Sequence, residues 1–388
     1  MHMLAPAPYR SPWMTEDLDD VRALARTFFE RELTPHVDRW SKAGAVDREF
    51  WNRAGEAGLL CMSIPEEYGG GGGTFAHEAV IAEEQARAVD DGWGSQVHSA
   101  IVAHYILAYG TEEQKQRWLP GMASGELVGA IAMTEPGAGS DLQALRTSAS
   151  LDGEHYVVDG SKTFVSNGLH ADLVVIVVRT GGEGGRGLSL IVAETTDLPG
   201  FSRGRQLEKV GLKYQDTMEL FFEDMRVPAD NVLGGEAGLG RGFVQLMQQL
   251  GQERLIIAVT AVAAAETAVR LAVDYAKERE AFGRPILAFQ NLRFELAECT
   301  TEALATRTLV DHCIGLHLQG RLDPATASMA KYFATDKQCE LIDRALQVFG
   351  GYGFMTEYPI ARMYASARVQ KIYGGTNEIM KELIGRSL

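Results

Sequence analysis

Basic side chains are in short supply. Thirty-seven Lys and Arg stand against 52 Asp and Glu over 388 residues, a formal charge of −15. So acidic a chain has no general attraction for nucleic acid or anionic lipid, and any cation that matters must act locally. Cysteine is rarer still. Cys61, Cys299, Cys313 and Cys339 form no C-x-x-C pair and have no histidines at zinc spacing. They signal neither a disulfide framework nor a metal site, and they suit a reducing, cytoplasmic compartment. The N-terminal stretch carries Arg10 and then an acidic cluster, without the apolar core of a leader or an Arg-rich transit pattern. No apolar run reads as a membrane span. Internal repeats and low-complexity tracts are missing too.

What is present is apolar material, 46% of the residues, enough for two or three packed cores. Leu18, Val21, Leu24, Ala25 and Phe28 recur at helical spacing behind Thr15, a candidate N-cap. Pro65 and the glycines at 69–73 break the pattern, and helices resume over about 76–121. Between about 128 and 240 the character changes to short β-branched runs, at 156–158, 173–178, 188–192 and 218–222, separated by glycine-rich turns. No helical pattern separates these runs, so antiparallel pairing is expected. After Gly240 long helices return, one ending near 280, a second over about 289–318, and a third that Asp323 caps with Pro324 in its first turn. The fold class is α+β: an N-terminal α-helical domain (1–127), a middle antiparallel β-barrel or sandwich domain (128–240) and a C-terminal four-helix-bundle domain (241–388).

Several segments bear on chemistry. Ile131-Ala-Met-Thr-Glu-Pro-Gly-Ala-Gly-Ser-Asp141 leaves a predicted strand for a turn rich in glycine and hydroxyls, where bared amides can approach a flat ring or a phosphate. It is not the dinucleotide G-x-G-x-x-G, because position 142 is leucine. Taken alone it reads as an ordinary turn. Further segments follow in order: Gly160-Ser-Lys-Thr-Phe-Val-Ser-Asn-Gly168, Gly251-Gln-Glu-Arg-Leu255, Arg279-Glu-Ala-Phe-Gly-Arg-Pro-Ile286, Phe289-Gln290, Gln347-Val-Phe-Gly-Gly-Tyr-Gly353 and Ile372-Tyr-Gly-Gly-Thr-Asn-Glu-Ile379. Together these resemble the acyl-CoA dehydrogenase family over nearly the whole chain, and within it the long-chain branch.

The resemblance implies FAD as cofactor. It places Ile131, Met133, Thr134, Gly139 and Ser140 near the flavin and the thioester, with Phe164, Val165 and Ser166 on the other face of the ring. A Ser166 hydroxyl there would bond the nitrogen that receives hydride. Arg279, Phe282, Gln290, Gln347, Val348, Phe349, Gly350 and Gly351 resemble contacts to the FAD pyrophosphate and adenosine of a neighbouring subunit, where an arginine's planar fork offers paired donors. They imply at least a dimer and, as in much of the family, a homotetramer built as a dimer of dimers. Thr376, Asn377 and Glu378 precede the last helix, whose free amides suit a polar part of the cofactor.

Most family members carry their catalytic glutamate at the position that is Gly374 here. Removing a proton beside a thioester needs a base within hydrogen-bond reach, and the long-chain and isovaleryl members supply one from the first long C-terminal helix, at the position of Glu253. Buried beside an acyl chain and a flavin, Glu253 would rise in pKa toward neutrality, as a general base requires. Ser140, Val244, Gly251, Gln252, Arg254, Gly374 and Gly375 are the implied substrate contacts, with the pocket floor expected near Val244 and the helix over 92–105. The implied reaction is conversion of a long-chain fatty acyl-CoA to the trans-2-enoyl-CoA, with electrons passed to an electron-transferring flavoprotein. An isovaleryl-type enzyme, a related flavin oxidase or monooxygenase, and a non-catalytic acyl-CoA-binding flavoprotein are the alternatives.

Overall fold

The computed structural model describes residues 9–89 and 92–388. The N-terminal region is helical: α1 (Glu16–Phe28), α2 (Val37–Ala43), α3 (Arg48–Glu56), α4 (Phe75–Arg87), α5 (Ala103–Tyr109) and α6 (Glu112–Ser124). Thr15 occupies the N-cap position of α1, but its side chain makes no capping bond. Thr74 and Thr111 instead form the reciprocal capping boxes that start α4 and α6. A π-helical stretch, Val97–Val102, runs straight into α5.

Seven strands follow: β1 (Gly129–Ala132), β2 (Ser148–Asp152), β3 (His155–Ser166), β4 (Leu173–Arg179), β5 (Leu188–Glu194), β6 (Phe201–Gln206) and β7 (Thr217–Pro228). Most neighbours are antiparallel as expected, but β4 pairs in parallel with β1, Gly129 opposite Leu173, and with β2, Ser148 opposite Arg179. The exception has a physical cause. Leu173, Val175 and Val177 of β4 enter the core shared with the N-terminal helices, while Val174, Ile176 and Val178 enter the β core. A strand buried on both faces suits a central, parallel-paired place in the sheet.

The C-terminal bundle consists of α7 (Gly242–Glu278), α8 (Gln290–Leu318), α9 (Pro324–Val348), α10 (Pro359–Gln370) and α11 (Asn377–Gly385). Asp323 caps α9 through the amides of Ala325 and Thr326, both at 2.9 Å. One sequence expectation needs correcting here. At 37 residues α7 is long and apolar enough to cross a membrane, yet 67% of its most apolar window is buried by the protein itself. Its alanines and valines form the axis of the bundle, packed by α8, α9 and, from the N-terminal region, α4. A buried ion cluster fastens that docking, with Arg307 of α8 bonded to Glu83 of α4 and Glu266 of α7.

Candidate active site

The loop leaving β1 is held by one buried carboxylate. Glu135 accepts the amides of Arg146 (2.7 Å) and Thr147 (2.9 Å) and the Lys162 ammonium (2.9 Å), and Lys162 also reaches the Met133 carbonyl at 3.0 Å. Burial pushes the Glu135 pKa up, but the bonds from Thr147, Arg146 and Lys162 outweigh it and hold the carboxyl below its usual range. The Thr163 amide bonds the Thr134 carbonyl at 2.9 Å, so residues 133–134 lie fixed against β3.

On β3 the pairing with β7 shifts between Lys162 and Val165, and in that bulge Phe164 takes φ +58° and stands 66% exposed. A phenylalanine in the left-handed region is strained, and such strain concentrates at functional sites. Strand alternation sends the next side chain the other way. Val165 is 1% exposed inside the β core, so only its backbone can meet a ligand, whereas Ser166 is half-buried. Beside them the turn is open: a Cβ at Gly137 would touch nothing, and one at Gly139 only Thr134 at 3.9 Å.

Glu253 lies on α7, 5% exposed, with the Tyr105 hydroxyl of α5 donating to its Oε1 at 2.7 Å. Burial raises its pKa to about 7, against the opposing effects of the Tyr105 bond and the Arg254 charge. Gly374 faces the same helix one turn on, at φ +64°, where a Cβ would come within 2.5 Å of Ile257 Cδ1. Residues 253 and 257 share a helix face, so both positions from which a carboxylate is conceivable converge on one place. The Arg254 guanidinium reaches the Gly374 carbonyl at 3.4 Å, and Lys331 of α9 donates to the Gly375 carbonyl at 2.7 Å and to Asn377 at 3.0 Å. Burial and the Arg254 charge lower the Lys331 pKa to about 8.

Not every sequence candidate points into this site. Gln252 spends its amide on the Ala100 carbonyl (2.8 Å) and its oxygen on His317 (3.1 Å). Asn377 is buried among Lys331, Thr335 and Asp336, so its side chain secures α11 and is not free for a cofactor. Thr376 does cap α11, through the Ile379 amide, and Glu378 is exposed in its first turn. Gly251 is half-buried, and Val244 is exposed near the start of α7 with no part in the contact at Gly374, which falls to Ile257. Half-buried Ile131 packs against the core beside Met133, and Ser140 is exposed on the turn. Sequence reasoning placed Tyr105 only at the end of the helix expected at the pocket floor and gave it no role of its own. It also passed over Lys331, which does carry a signal: a lysine on the alanine face formed by Ala327, Ala330 and Ala334.

The remaining candidates lie elsewhere. Arg279, Phe282, Gln290, Gln347, Gly350 and Gly351 are exposed, Phe282 at 95% on the tip of the short hairpin β8 (Glu280–Ala281) to β9 (Arg284–Pro285). Val348 is half-buried, and Phe349 is turned inward, its ring stacked on Tyr275 at 4.4 Å, so that only its backbone is available. The loop after β1 packs near Leu246, in the first turns of α7. Arg279 follows the far end, 33 residues on, about 50 Å away along the helix at its usual rise.

The strained, exposed Phe164, the open Gly137–Gly139 turn and the buried Glu253 carboxyl at near-neutral pKa suit a flavin and a substrate C–H acid. The comparisons with known proteins agree. The N-terminal, middle and C-terminal domains of acyl-CoA dehydrogenase match residues 15–126, 130–225 and 240–388. The mitochondrial long-chain specific acyl-CoA dehydrogenase of Sus scrofa is 49% identical over 373 residues, covering 95% of this chain and 86% of its own. The crystal structure of an acyl-CoA dehydrogenase from Geobacillus kaustophilus superposes with a TM-score of 0.94 at 48% identity, covering 97% of this chain and 99% of its own. A glutaryl-CoA dehydrogenase from Mycobacterium smegmatis, solved with FADH2, gives 0.90 at 27% identity, covering 96% and 95%. The chain therefore belongs to the acyl-CoA dehydrogenase family, FAD-dependent oxidoreductases that dehydrogenate acyl-CoA thioesters.

Proposed function

We propose that this enzyme oxidises long, straight-chain acyl-CoAs to trans-2-enoyl-CoAs, with Glu253 as the base and an electron-transferring flavoprotein as the acceptor. The observation that carries the reading is Glu253 itself: a buried carboxylate with a pKa near 7 facing a family base position that holds only glycine. Such a group is part ionised at neutral pH and keeps enough basicity to remove an α-proton. FAD, when bound, accepts the β-hydrogen as hydride. Residues 133–134, clamped by Glu135 and Lys162, and the backbone at 374–375, held by Arg254 and Lys331, give the substrate fixed walls.

Two observations favour long chains: the 49% identity to a long-chain enzyme and the course of α7. Glu253, Ile257, Thr260 and Ala264 follow one another along one face of that helix, and the last two line a cavity of about 70 Å³ together with Trp93, Gln96, Ala367 and Tyr373. From Glu253 to Ala264 is about 16 Å along the axis, the reach of an extended acyl chain of roughly a dozen carbons. Each methylene buried there adds up to ~0.8 kcal/mol. Palmitoyl-CoA should bleach the flavin absorbance in an anaerobic titration, with a higher kcat/KM than isovaleryl-CoA. A preference for isovaleryl-CoA overturns the chain length, and failure of every acyl-CoA to bleach the flavin overturns the dehydrogenase in favour of a binding protein.

The length of α7 supports FAD binding across a subunit interface, with Arg279 and the 347–351 segment serving a neighbour's cofactor. Arg279→Ala should weaken FAD retention on gel filtration without lowering the thermal stability of the isolated subunit. Retention equal to the parent's removes the interface assignment.

A further inference from the structure

We propose that Tyr105 is a positioning residue for the base: its phenol holds one oxygen of the Glu253 carboxylate and leaves the other free to take the α-proton. This rests on the reading that Glu253 is the base. The bond is 2.7 Å, between groups 148 residues apart in the chain, and Tyr105 is fully buried. The surroundings fix both partners. The π-helical turn before α5 presents the Ala100 carbonyl to Gln252, next to the base on α7, and one turn beyond Tyr105 the Tyr109 hydroxyl bonds the Gln245 carbonyl (3.2 Å) and Gln248 (3.0 Å). The helix carrying Tyr105 is thus pinned to α7 on both sides of the Tyr105–Glu253 pair. Local π-helical turns of this kind recur at functional sites.

The chemistry follows from which form of the carboxyl the phenol favours. A hydroxyl donating to a carboxylate stabilises the ionised base and opposes the rise that burial imposes. Tyr105 keeps its own proton, because burial and the Glu253 charge push the phenol well above its ordinary pKa, so it is a donor and not a relay. In the reaction the α-carbon's C–H bond breaks, the proton passes to the free carboxylate oxygen, and the electron pair stays on carbon to form the enolate. The other groups bearing on Glu253 are Arg254 on its own helix and Tyr109 on α5, while Lys331 of α9 bears on Arg254.

The test is the pH profile of flavin reduction by palmitoyl-CoA in the FAD-loaded enzyme, followed anaerobically. Tyr105→Phe keeps the ring and loses the donor. It should move the acid limb to higher pH by roughly one unit, while the rate well above that limb falls far less than in Glu253→Gln. Incorporating 3-fluorotyrosine at position 105, a stronger donor of nearly the same shape, should move the limb to lower pH, and this arm remains if Tyr105→Phe folds poorly. Opposite shifts from the two replacements would not arise from packing alone. A Tyr105→Phe or fluorotyrosine limb superimposed on the parent's, with Glu253→Gln inactive, overturns the positioning role and leaves the base in place. Reduction by Glu253→Gln at near-parental rate removes the base assignment, and this proposal with it.

Discussion

Glu253→Gln should hold FAD and acyl-CoA as the parent does yet lose flavin reduction by at least ~10²- to 10⁴-fold, the usual contribution of a general base. The amide keeps the shape and can still accept the Tyr105 hydroxyl bond, but it cannot take a proton. With water excluded by the buried walls around residue 253, no solvent base substitutes. Reduction within threefold of the parent would place the base elsewhere. The same variant should be more stable than the parent at alkaline pH. The folded-state pKa of Glu253 is raised from 4.5 to about 7, so its contribution is fully present below the unfolded value and is lost as pH rises through the folded one. Above that window the parent carries a cost of about 3 kcal/mol that glutamine does not. The gap between the two unfolding temperatures should therefore widen between about pH 5 and about pH 8, and a constant gap contradicts the raised pKa. Adding Gly374→Glu to this variant would not fully rescue it. Its Cβ would meet only the movable end of the Ile257 side chain, but the backbone at φ +64° strains any residue that has a Cβ, so at most partial reduction is expected, even with Ile257→Ala alongside.

Glu135→Ala should cost about 3–5 kcal/mol of stability, the penalty for removing one partner of a buried pair. Lys162 would keep only the Met133 carbonyl, and the amides of Arg146 and Thr147 would lose their acceptor. FAD retention should fall with it, because that clamp fixes residues 133–134 against β3. Urea unfolding measures the first effect and gel filtration with flavin absorbance the second. The pH sign is opposite to that of Glu253. A depressed carboxyl stabilises above its unfolded pKa, and that contribution disappears as pH falls through the folded value. The double replacement Glu135→Leu with Lys162→Met should recover much of the stability, since no buried charge is left unpaired. A single Glu135→Ala variant as stable as the parent would show that the loop is held by other contacts.

How far the sequence alone reached depends on the range of the forces involved. The α, β, α order, the Asp323 cap and the start of α9 rest on residues within a turn or two of each other, and they read directly from the chain. Glu253 became a candidate only through the family resemblance, which marks a carboxylate missing at 374 and one present at 253. The sequence could not show that Val165, Phe349 and Asn377 turn inward, since a side chain's direction depends on which distant strand or helix covers it. It took no apolar run to be long enough for a membrane span, which α7 is, and since composition is the same whether lipid or protein surrounds a helix, only the packing of α4, α8 and α9 shows what covers it. The parallel β1–β4 pair is non-local in the same way. The basicity of Glu253 is the clearest case. Its identity is local, but its pKa is set by desolvation and by a phenol 148 residues away, and neither exists until α5 and α7 have packed.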